Sequence, residues 1–261
     1  MSDLPSAFDW RNIHGRNLVT GVRSQRLPHY CGSCWAVATT SALSDRLKIA
    51  TKGTTPDILL SPQVLLNGGA EWGAGSCLGG SYELAYEFMH LYGITDESCS
   101  PYEGVDYTMW GESDWTERNC KDCDLSGNCY FVNGTVYQVE EYGSVLGEED
   151  MMKEVFARGT IACAIYAHSD EFKNYHGGII MDTTKYESIT HIVSIMGWGE
   201  GTDGTPYWVG RNSAGTRWGE NGFFRLIRGQ DALNIESTEC YWATPTEESV
   251  YNYGRVYFDE D

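Results

Sequence analysis

The segment Gln25–Trp35 has the sequence QRLPHYCGSCW and ends in the pentapeptide Cys31-Gly32-Ser33-Cys34-Trp35. Apolar residues recur at helical spacing after it, and a serine and a glycine flank the segment as N-cap and stop. The sequence therefore predicts a helix over Cys34–Lys52. The thiol of Cys34 then lies at a helix N-terminus, where the helix dipole lowers a thiol's pKa and favours the nucleophilic thiolate.

Helices are predicted first along the chain, and strands follow them. Beyond the first helix, the sequence predicts helices over Ser61–Leu66, Ser81–Tyr92 and Glu148–Arg158. The predicted strands are separated by glycines and cover Ile161–Ala167, His191–Met196, Pro206–Arg211 and Phe223–Ile227. Residues 99–129 hold four cysteines among polar residues and are predicted to form a disulfide-linked loop region. This order indicates an α+β fold with two packed lobes in a single domain over residues 1–261.

The composition is that of an acidic globular chain. Of its 261 residues 41% are hydrophobic, and 18 Lys and Arg against 37 Asp and Glu give a net charge of −19. This charge argues against nucleic acid and anionic membranes as partners, because both bind basic surfaces. No apolar run approaches the roughly 18 residues of a membrane span. Because the segment Met1–Pro5 lacks signal-peptide features, we expect either a cytosolic protein or a mature form without its leader.

The pair Cys31 and Cys34 has three chemical interpretations. A redox pair is typical of a parallel βαβ unit, and the predicted order of elements argues against such a unit. A zinc site needs a second pair, which Cys120-Lys121-Asp122-Cys123 offers at a much larger spacing than usual. In the third interpretation Cys31 is a disulfide partner and Cys34 is a single reactive thiol. The odd total of nine cysteines favours this interpretation.

A thiolate nucleophile needs a base, a residue that orients the base and donors for an oxyanion. Candidates for all of these occur in a recognisable order: Gln25, Cys31-Gly32-Ser33-Cys34-Trp35, Ser76-Cys77-Leu78-Gly79-Gly80, His191 before Gly197-Trp198-Gly199, Asn212-Ser213 and Trp218-Gly219-Glu220-Asn221-Gly222. This set spans nearly the whole chain and resembles the papain family of cysteine peptidases. The resemblance implies a helical lobe over approximately residues 20–130, a β-barrel-like lobe over 1–19 and 131–261, and an active-site cleft between them.

The resemblance also implies a role for each site residue. Cys34 attacks the scissile carbonyl to form a thioester acyl-enzyme, and His191 stabilises the thiolate and protonates the leaving amine. Asn212 holds the imidazole plane, and the Gln25 side chain with the Cys34 backbone N–H forms the oxyanion hole. The substrate-binding residues expected along the cleft are Tyr30, Trp35, Gly79 and Gly80.

The remaining cysteines pair by the same resemblance. The implied disulfides are Cys31–Cys77, Cys99–Cys120, Cys123–Cys129 and Cys163–Cys240, which leave Cys34 alone. Such a disulfide framework favours an oxidising compartment. Asn133 begins a glycosylation sequon, Asn133-Gly134-Thr135, at a place where the family also has one.

One departure from the family pattern lies next to the catalytic asparagine. The family has a tryptophan two residues after it, which shields the His–Asn hydrogen bond, and Ala214 stands there in this chain. We expect a more weakly oriented His191, by about 1 kcal/mol, and a roomier leaving-group side. The alternative interpretation is a catalytically weak or inactive binding protein of the same fold.

A second departure lies in the loop before Cys31. One carboxypeptidase group in the family shares the three extra residues of this loop and binds the substrate's C-terminal carboxylate there through a histidine. Arg26 occupies that position here, and His29 is a second candidate for the same task. A guanidinium binds carboxylate bidentately and stays protonated, so we expect release of single C-terminal residues. The alternative for Arg26 is a solvated surface side chain.

These observations lead to expectations about partners and location. We expect peptide or protein substrates, protein inhibitors and a removed propeptide, a monomeric state, and no cofactor or metal. We also expect a lysosomal or secreted protein whose leader and propeptide are not in this chain. A thiol–disulfide oxidoreductase using Cys31 and Cys34 is the more distant alternative.

Overall fold

The computed structural model describes residues 4–54, 57–107, 120–131 and 134–255. The helix predicted at Cys34 lies at its centre as α1 (Cys34–Ala50), and fourteen of its seventeen residues are buried. It ends two residues before the predicted Lys52, because Lys52 adopts a positive φ of 56° that no helix continues. The sequence prediction of this helix is therefore confirmed, with a shorter C-terminal end.

Two further helices pack beside α1 in the first half of the chain. They are α2 (Pro62–Trp72) and α3 (Tyr82–Leu91), and the short strands β2 (Gly75–Ser76) and β3 (Gly79–Gly80) pair between them. The α3 helix begins where predicted, since the Ser81 side chain accepts a hydrogen bond from the Leu84 N–H at 3.2 Å. The α2 helix runs six residues beyond the predicted Leu66 because its buried apolar face against α1 outweighs the low helix propensity of Gly68-Gly69.

The second half forms one antiparallel sheet of seven strands. They are β1 (Phe8–Asp9), β6 (Val139–Val145), β7 (Ile161–Ile165), β8 (His191–Glu200), β9 (Pro206–Arg211), β10 (Phe223–Ile227) and β11 (Cys240–Pro245). The order is β10-β9-β8-β7-β11-β6, with β1 beside β8. Within the described residues no strand pair joins β10 to β6, so the predicted barrel-like lobe is an open sheet.

Several smaller elements complete the described chain. They are the hairpin β4 (Lys121–Cys123) and β5 (Cys129–Phe131), the helices α4 (Glu148–Arg158), α5 (Asp170–Lys173) and α6 (Glu247–Arg255), and a 3-10 turn at Ala232–Asn234. The bounds of α4, β9 and β10 are as predicted. β8 extends four residues past the predicted Met196, and β7 ends two residues before the predicted Ala167. The Tyr166 N–H turns away from the sheet to the Leu233 carbonyl at 2.9 Å, which ends β7.

Two apolar cores lie on either side of the site. One core surrounds α1, α2 and α3, and the other lies over the sheet around Trp198, Trp208 and Phe224. The first core also includes Ala164 and Ile192, which belong to the sheet. The two-lobed α+β architecture is thus confirmed, while the lobe boundaries at about residues 20 and 130 remain predictions.

The four predicted disulfides form in the structure. Cys31–Cys77, Cys99–Cys120, Cys123–Cys129 and Cys163–Cys240 are bonded, and Cys34 is the free thiol. The redox and zinc interpretations both required Cys31 and Cys34 to act together, and the bond from Cys31 to Cys77 separates them. The sequon residue Asn133 lies outside the described residues. No helix in the described ranges is long and apolar enough to cross a membrane.

Candidate active site

Cys34 is the first residue of α1, and its thiol is half-buried. The preceding Ser33 does not cap the helix with its side chain, because its hydroxyl hydrogen-bonds the Tyr102 hydroxyl at 2.7 Å instead. The N–H groups of the first turn therefore have no side-chain cap from Ser33, and the positive end of the helix dipole faces the thiol. This is the environment that the sequence predicted for a nucleophilic cysteine.

His191 and Asn212 come from two neighbouring strands. His191 is the first residue of β8, and Asn212 directly follows β9, which pairs with β8. The His191 Nε2 and the Asn212 Oδ1 lie 2.8 Å apart, so Nε2–H donates to the amide oxygen. This hydrogen bond leaves Nδ1 for the thiol. The rings of Phe172 and His191 pack edge-on, with their centroids 6.3 Å apart, and this contact limits the rotation of the imidazole.

The thiol and the imidazole favour opposite charges on each other. Burial raises the pKa of the Cys34 thiol. The hydrogen bond and positive charge of His191, with the Ile192 and Trp35 N–H groups, lower this pKa by more than burial raises it, so the net shift is a lowering. Burial lowers the pKa of His191, but the hydrogen bond and charge of Cys34 and the hydrogen bond to Asn212 outweigh burial and raise it. Both shifts favour the thiolate–imidazolium pair over the neutral thiol and imidazole.

Gln25 has the geometry of an oxyanion donor. Its Nε2 donates one hydrogen to the Cys31 carbonyl at 3.0 Å, and its Oε1 accepts a hydrogen bond from the Ser213 hydroxyl at 2.5 Å. A primary amide carries two N–H donors, so the second one stays available to a ligand. The Gln25 backbone is fixed as well, since its N–H donates to the Ser213 carbonyl at 2.9 Å.

A cleft of about 380 Å³ opens beside the imidazole, and we call it the His191 cleft. Its lining residues are Gln25, Arg26, Tyr30, Ala167, His168, Phe172, Lys173, Thr190, His191, Asn212, Ser213, Ala214 and Trp218. The cleft thus brings together the predicted Gln25, Arg26, Tyr30, His191 and Asn212. His29 is exposed but lies outside this lining, and its backbone carbonyl is turned toward Gly104.

Trp35, the residue after Cys34, packs against Gly80 of β3. The Trp35 ring is fully buried and donates its indole N–H to the Ser76 carbonyl at 3.1 Å. This placement corrects the expectation that the ring touches substrate, because its surface is covered by the protein. A Cβ at Gly80 would lie 2.6 Å from the ring and 2.5 Å from the Ala74 carbonyl, so packing requires glycine there. Gly79 and Gly80 are themselves exposed.

Ala214 borders the His191 cleft as a half-buried residue that pairs with Ser24. Its side chain lines the cleft with a single methyl group, and the roomier leaving-group side stays a prediction. Asn212 nevertheless remains only 6% exposed. At its Asn212 end, the His191–Asn212 hydrogen bond is therefore better shielded from water than the sequence analysis predicted.

Several site residues were missed by the sequence analysis. Ser213 and Tyr102 hold Gln25, the latter through a hydroxyl that donates to the Gln25 carbonyl at 3.1 Å. His168 and Lys173 also line the cleft. Their place depends on how the segment after β7 folds back over His191, which no sequence spacing indicates.

Comparisons with known proteins agree with this geometry. The sequence model of the papain family cysteine proteases matches residues 4–243. Cathepsin Z of Onchocerca volvulus, also called cathepsin X, is 43% identical over 251 residues, covering 93% of this chain and 78% of that protein. Cathepsin B-like CP2 of Giardia intestinalis is 32% identical over 234 residues, covering 90% and 72%.

Solved structures give the same result at lower sequence identity. Bromelain from Ananas comosus in complex with the E64 inhibitor superposes with a TM-score of 0.71 at 26% identity, covering 92% of this chain and 99% of that one. Digestive procathepsin L 3 of Tenebrio molitor gives a TM-score of 0.73 at 27% identity, covering 93% and 71%. With the Cys34, His191 and Asn212 geometry in place, these matches show that the chain belongs to the papain family of cysteine peptidases.

Proposed function

We propose that this cysteine peptidase is a carboxypeptidase that removes single residues from the C-termini of peptides or proteins. The observation that carries the proposal is the position of Arg26. Its guanidinium lines the His191 cleft, where the leaving amine must lie to receive a proton from the imidazole. No aspartate or glutamate lines the described cleft, so a substrate carboxylate is the anion that this arginine fits.

The charge of Arg26 acts directly on the catalytic histidine. Its positive charge opposes the rise in the pKa of His191, and both residues line the same cleft. In the described part of the chain no acidic side chain forms an ion pair with Arg26, whose side chain is exposed. When Arg26 binds the α-carboxylate of a substrate, the bond to be cleaved is the last peptide bond, on the N-terminal side of the terminal residue. His29 is the weaker candidate for this task because it does not line the cleft.

Hydrolysis then proceeds in two steps. The Cys34 thiolate attacks the last peptide carbonyl, the oxyanion is stabilised by Gln25 and the Cys34 N–H, and His191 protonates the departing amino acid. Water then hydrolyses the thioester with His191 as base. We further propose a lysosomal or secreted location, which the four disulfides and the cathepsin relatives support.

One peptide supplied as free acid and as C-terminal amide tests this proposal by mass spectrometry. We expect one-residue shortening of the free acid, slow or absent cleavage of the amide, and loss of that difference in Arg26→Ala. The matched control is Arg16→Ala, an exposed arginine outside the cleft. Equal cleavage of both peptides by the unchanged protein would contradict the proposal. Absence of any cleavage, with no preferential alkylation of Cys34, would instead support a binding protein of the same fold.

A further inference from the structure

The His191 cleft is a basic region in an acidic protein. The chain carries 37 acidic against 18 basic residues, yet Arg26, His168 and Lys173 line this cleft and no carboxylate does. Arg26 alone suffices for the α-carboxylate of a C-terminal residue. Two basic side chains therefore remain for another anionic group within the same cavity.

His168 and Lys173 belong to one wall of the cleft, which is fixed by hydrogen bonds and ring packing. Within residues 166–173, the Ser169 hydroxyl donates to Asp182 Oδ2 at 2.5 Å, and Phe172 is buried against Trp218 with ring centroids 4.9 Å apart. The Ala167 N–H donates to the Thr190 hydroxyl at 2.9 Å, next to the catalytic histidine. Lys173 and His168 are thus held on a fixed backbone.

Lys173 is loosely paired and available to a ligand. Its nearest acidic atom is an Asp170 carboxylate oxygen at 4.0 Å, and that aspartate side chain is 95% exposed. A ligand carboxylate inside the cleft is better shielded from water than this partner and attracts the ammonium more strongly. Ala214 also lines the cleft, and its small side chain leaves space for a long side chain of the substrate.

We propose that the His191 cleft selects a released residue with an anionic side chain, C-terminal glutamate above all. Arg26 binds its α-carboxylate, and Lys173 with His168 binds its side-chain carboxylate. This inference rests on the proposed carboxypeptidase function and names the substrate class of that site. Glutamate carries its side-chain carboxylate further from the α-carboxylate than aspartate does, so glutamate is the residue used in the test.

The test uses four free-acid peptides that differ only in a C-terminal Glu, Gln, Lys or Leu. We expect the unchanged protein to release Glu with a kcat/KM about tenfold above that for Gln, with Lys the slowest. Lys173→Gln should reduce the Glu-to-Gln ratio to about two- or threefold, and Lys173→Glu should make C-terminal Lys preferred over Glu. Lys173 is exposed, so neither variant should impair folding.

Lys153→Gln is the matched control. Lys153 also has a half-exposed side chain and an aspartate three residues earlier, but it lies on α4 outside the cleft. It should leave all four rates unchanged. Equal release of Glu and Gln, faster release of Leu than of Glu, or a wild-type ratio in Lys173→Gln would overturn this inference alone. Internal cleavage of all four peptides without single-residue release would overturn the proposed function and this inference together.

Discussion

At the scale of single residues, the Cys34 thiol and the His191 imidazole determine the pH range of activity. The pKa of the thiol is lowered and that of the imidazole is raised, so each group favours the charged form of the other. Protonation of Cys34 ends activity on the acid side, and deprotonation of His191 ends it on the alkaline side. Two neighbours shift the alkaline limit in opposite directions.

Asn212→Ala removes a hydrogen bond that, together with the larger effect of Cys34, raises the pKa of His191. We expect the alkaline limit of kcat/KM to move to lower pH while the acid limit stays nearly in place. Turnover should also fall by about 10- to 100-fold, because an imidazole without this hydrogen bond is poorly oriented for proton transfer. Measured pH profiles check this, and an unmoved alkaline limit would contradict the assigned role.

Arg26→Ala removes the neighbour that opposes the rise in the pKa of His191. We expect the alkaline limit, which the pKa of His191 sets, to move to higher pH, measured by NMR titration of the imidazole in the free protein so that carboxylate binding does not interfere. Arg16→Ala should leave the limit unchanged. A shift to lower pH in Arg26→Ala would show that its charge does not reach the imidazole.

Ala214→Trp fills part of the His191 cleft. We expect release of residues with long side chains to slow by about tenfold or more relative to release of C-terminal glycine. The pH profile should change little, because Asn212 is already 6% exposed with alanine in place. Competition between two free-acid peptides gives the ratio directly. If both the selectivity and the pH profile stay unchanged, the side chain at position 214 affects neither the space for the released residue nor the shielding of the His191–Asn212 hydrogen bond from water.

The catalytic residues were predictable because their motifs are local. The environment of Cys34 follows from one helix start, and the motifs around Gln25, His191 and Asn212 have a recognisable order. His168 and Lys173 were not predictable, since their approach to the cleft depends on contacts of residues 167–173 with distant Asp182, Thr190 and Trp218. The predicted substrate contact of Trp35 was wrong because a family motif position does not indicate which face of a ring is covered.

At the scale of elements, the sequence analysis predicted the limits of those helices and strands that begin and end sharply. The helix α4 and the strands β9 and β10 have their predicted limits, because glycines bound them closely. The strands β6 and β11 were missed. β6 lies at the sheet edge with Glu140 and Glu141 exposed, so its polar pattern resembles a solvated loop.

Asp182 fixes the segment that follows β7, and its ionisation links that segment to pH. Burial raises the pKa of Asp182, but hydrogen bonds from Ser169, Tyr186 and Thr184 outweigh burial and lower it to about 2. A carboxylate whose pKa is lowered in the folded state stabilises the fold at every pH above its unfolded-state pKa of about 4. This contribution is lost as the pH falls from about 4 towards 2.

Asp182→Asn should therefore destabilise the protein above pH about 4 and by progressively less at lower pH. We expect the same variant to raise KM for free-acid peptides more than it lowers kcat, since it loosens the wall of the cleft without touching His191. Urea denaturation at several pH values and steady-state kinetics measure the two effects. A constant difference in unfolding free energy down to pH about 2 would contradict the linkage.

At the scale of the whole molecule, a buried ion pair joins the helix of the nucleophile to the strand of Asn212. The Arg211 guanidinium donates to Asp45 Oδ2 at 2.7 Å and to the Thr20 carbonyl at 2.8 Å. Asp45 also accepts hydrogen bonds from Thr20 and from the Thr160 hydroxyl. Both charged side chains are at most 2% exposed.

Asp45→Ala leaves the Arg211 charge buried without its partner. We expect the free energy of unfolding to fall by about 3–5 kcal/mol, measured by urea denaturation. The control is Glu149→Ala, which removes an exposed partner of Lys153 and should leave stability unchanged. A similar small effect in both variants would mean that water or a neighbouring group compensates Arg211.

The burial of α1 has a consequence for how substrate reaches Cys34. This helix packs against the helical elements on one side and against the sheet on the other, where the Ser194 hydroxyl donates to the Ala38 carbonyl at 3.3 Å. A helix that contacts both the helical elements and the sheet fixes Cys34 relative to the strands that carry His191 and Arg211. Substitutions in the exposed segment Arg26–Tyr30 should therefore change how substrate enters the site without disturbing this central packing.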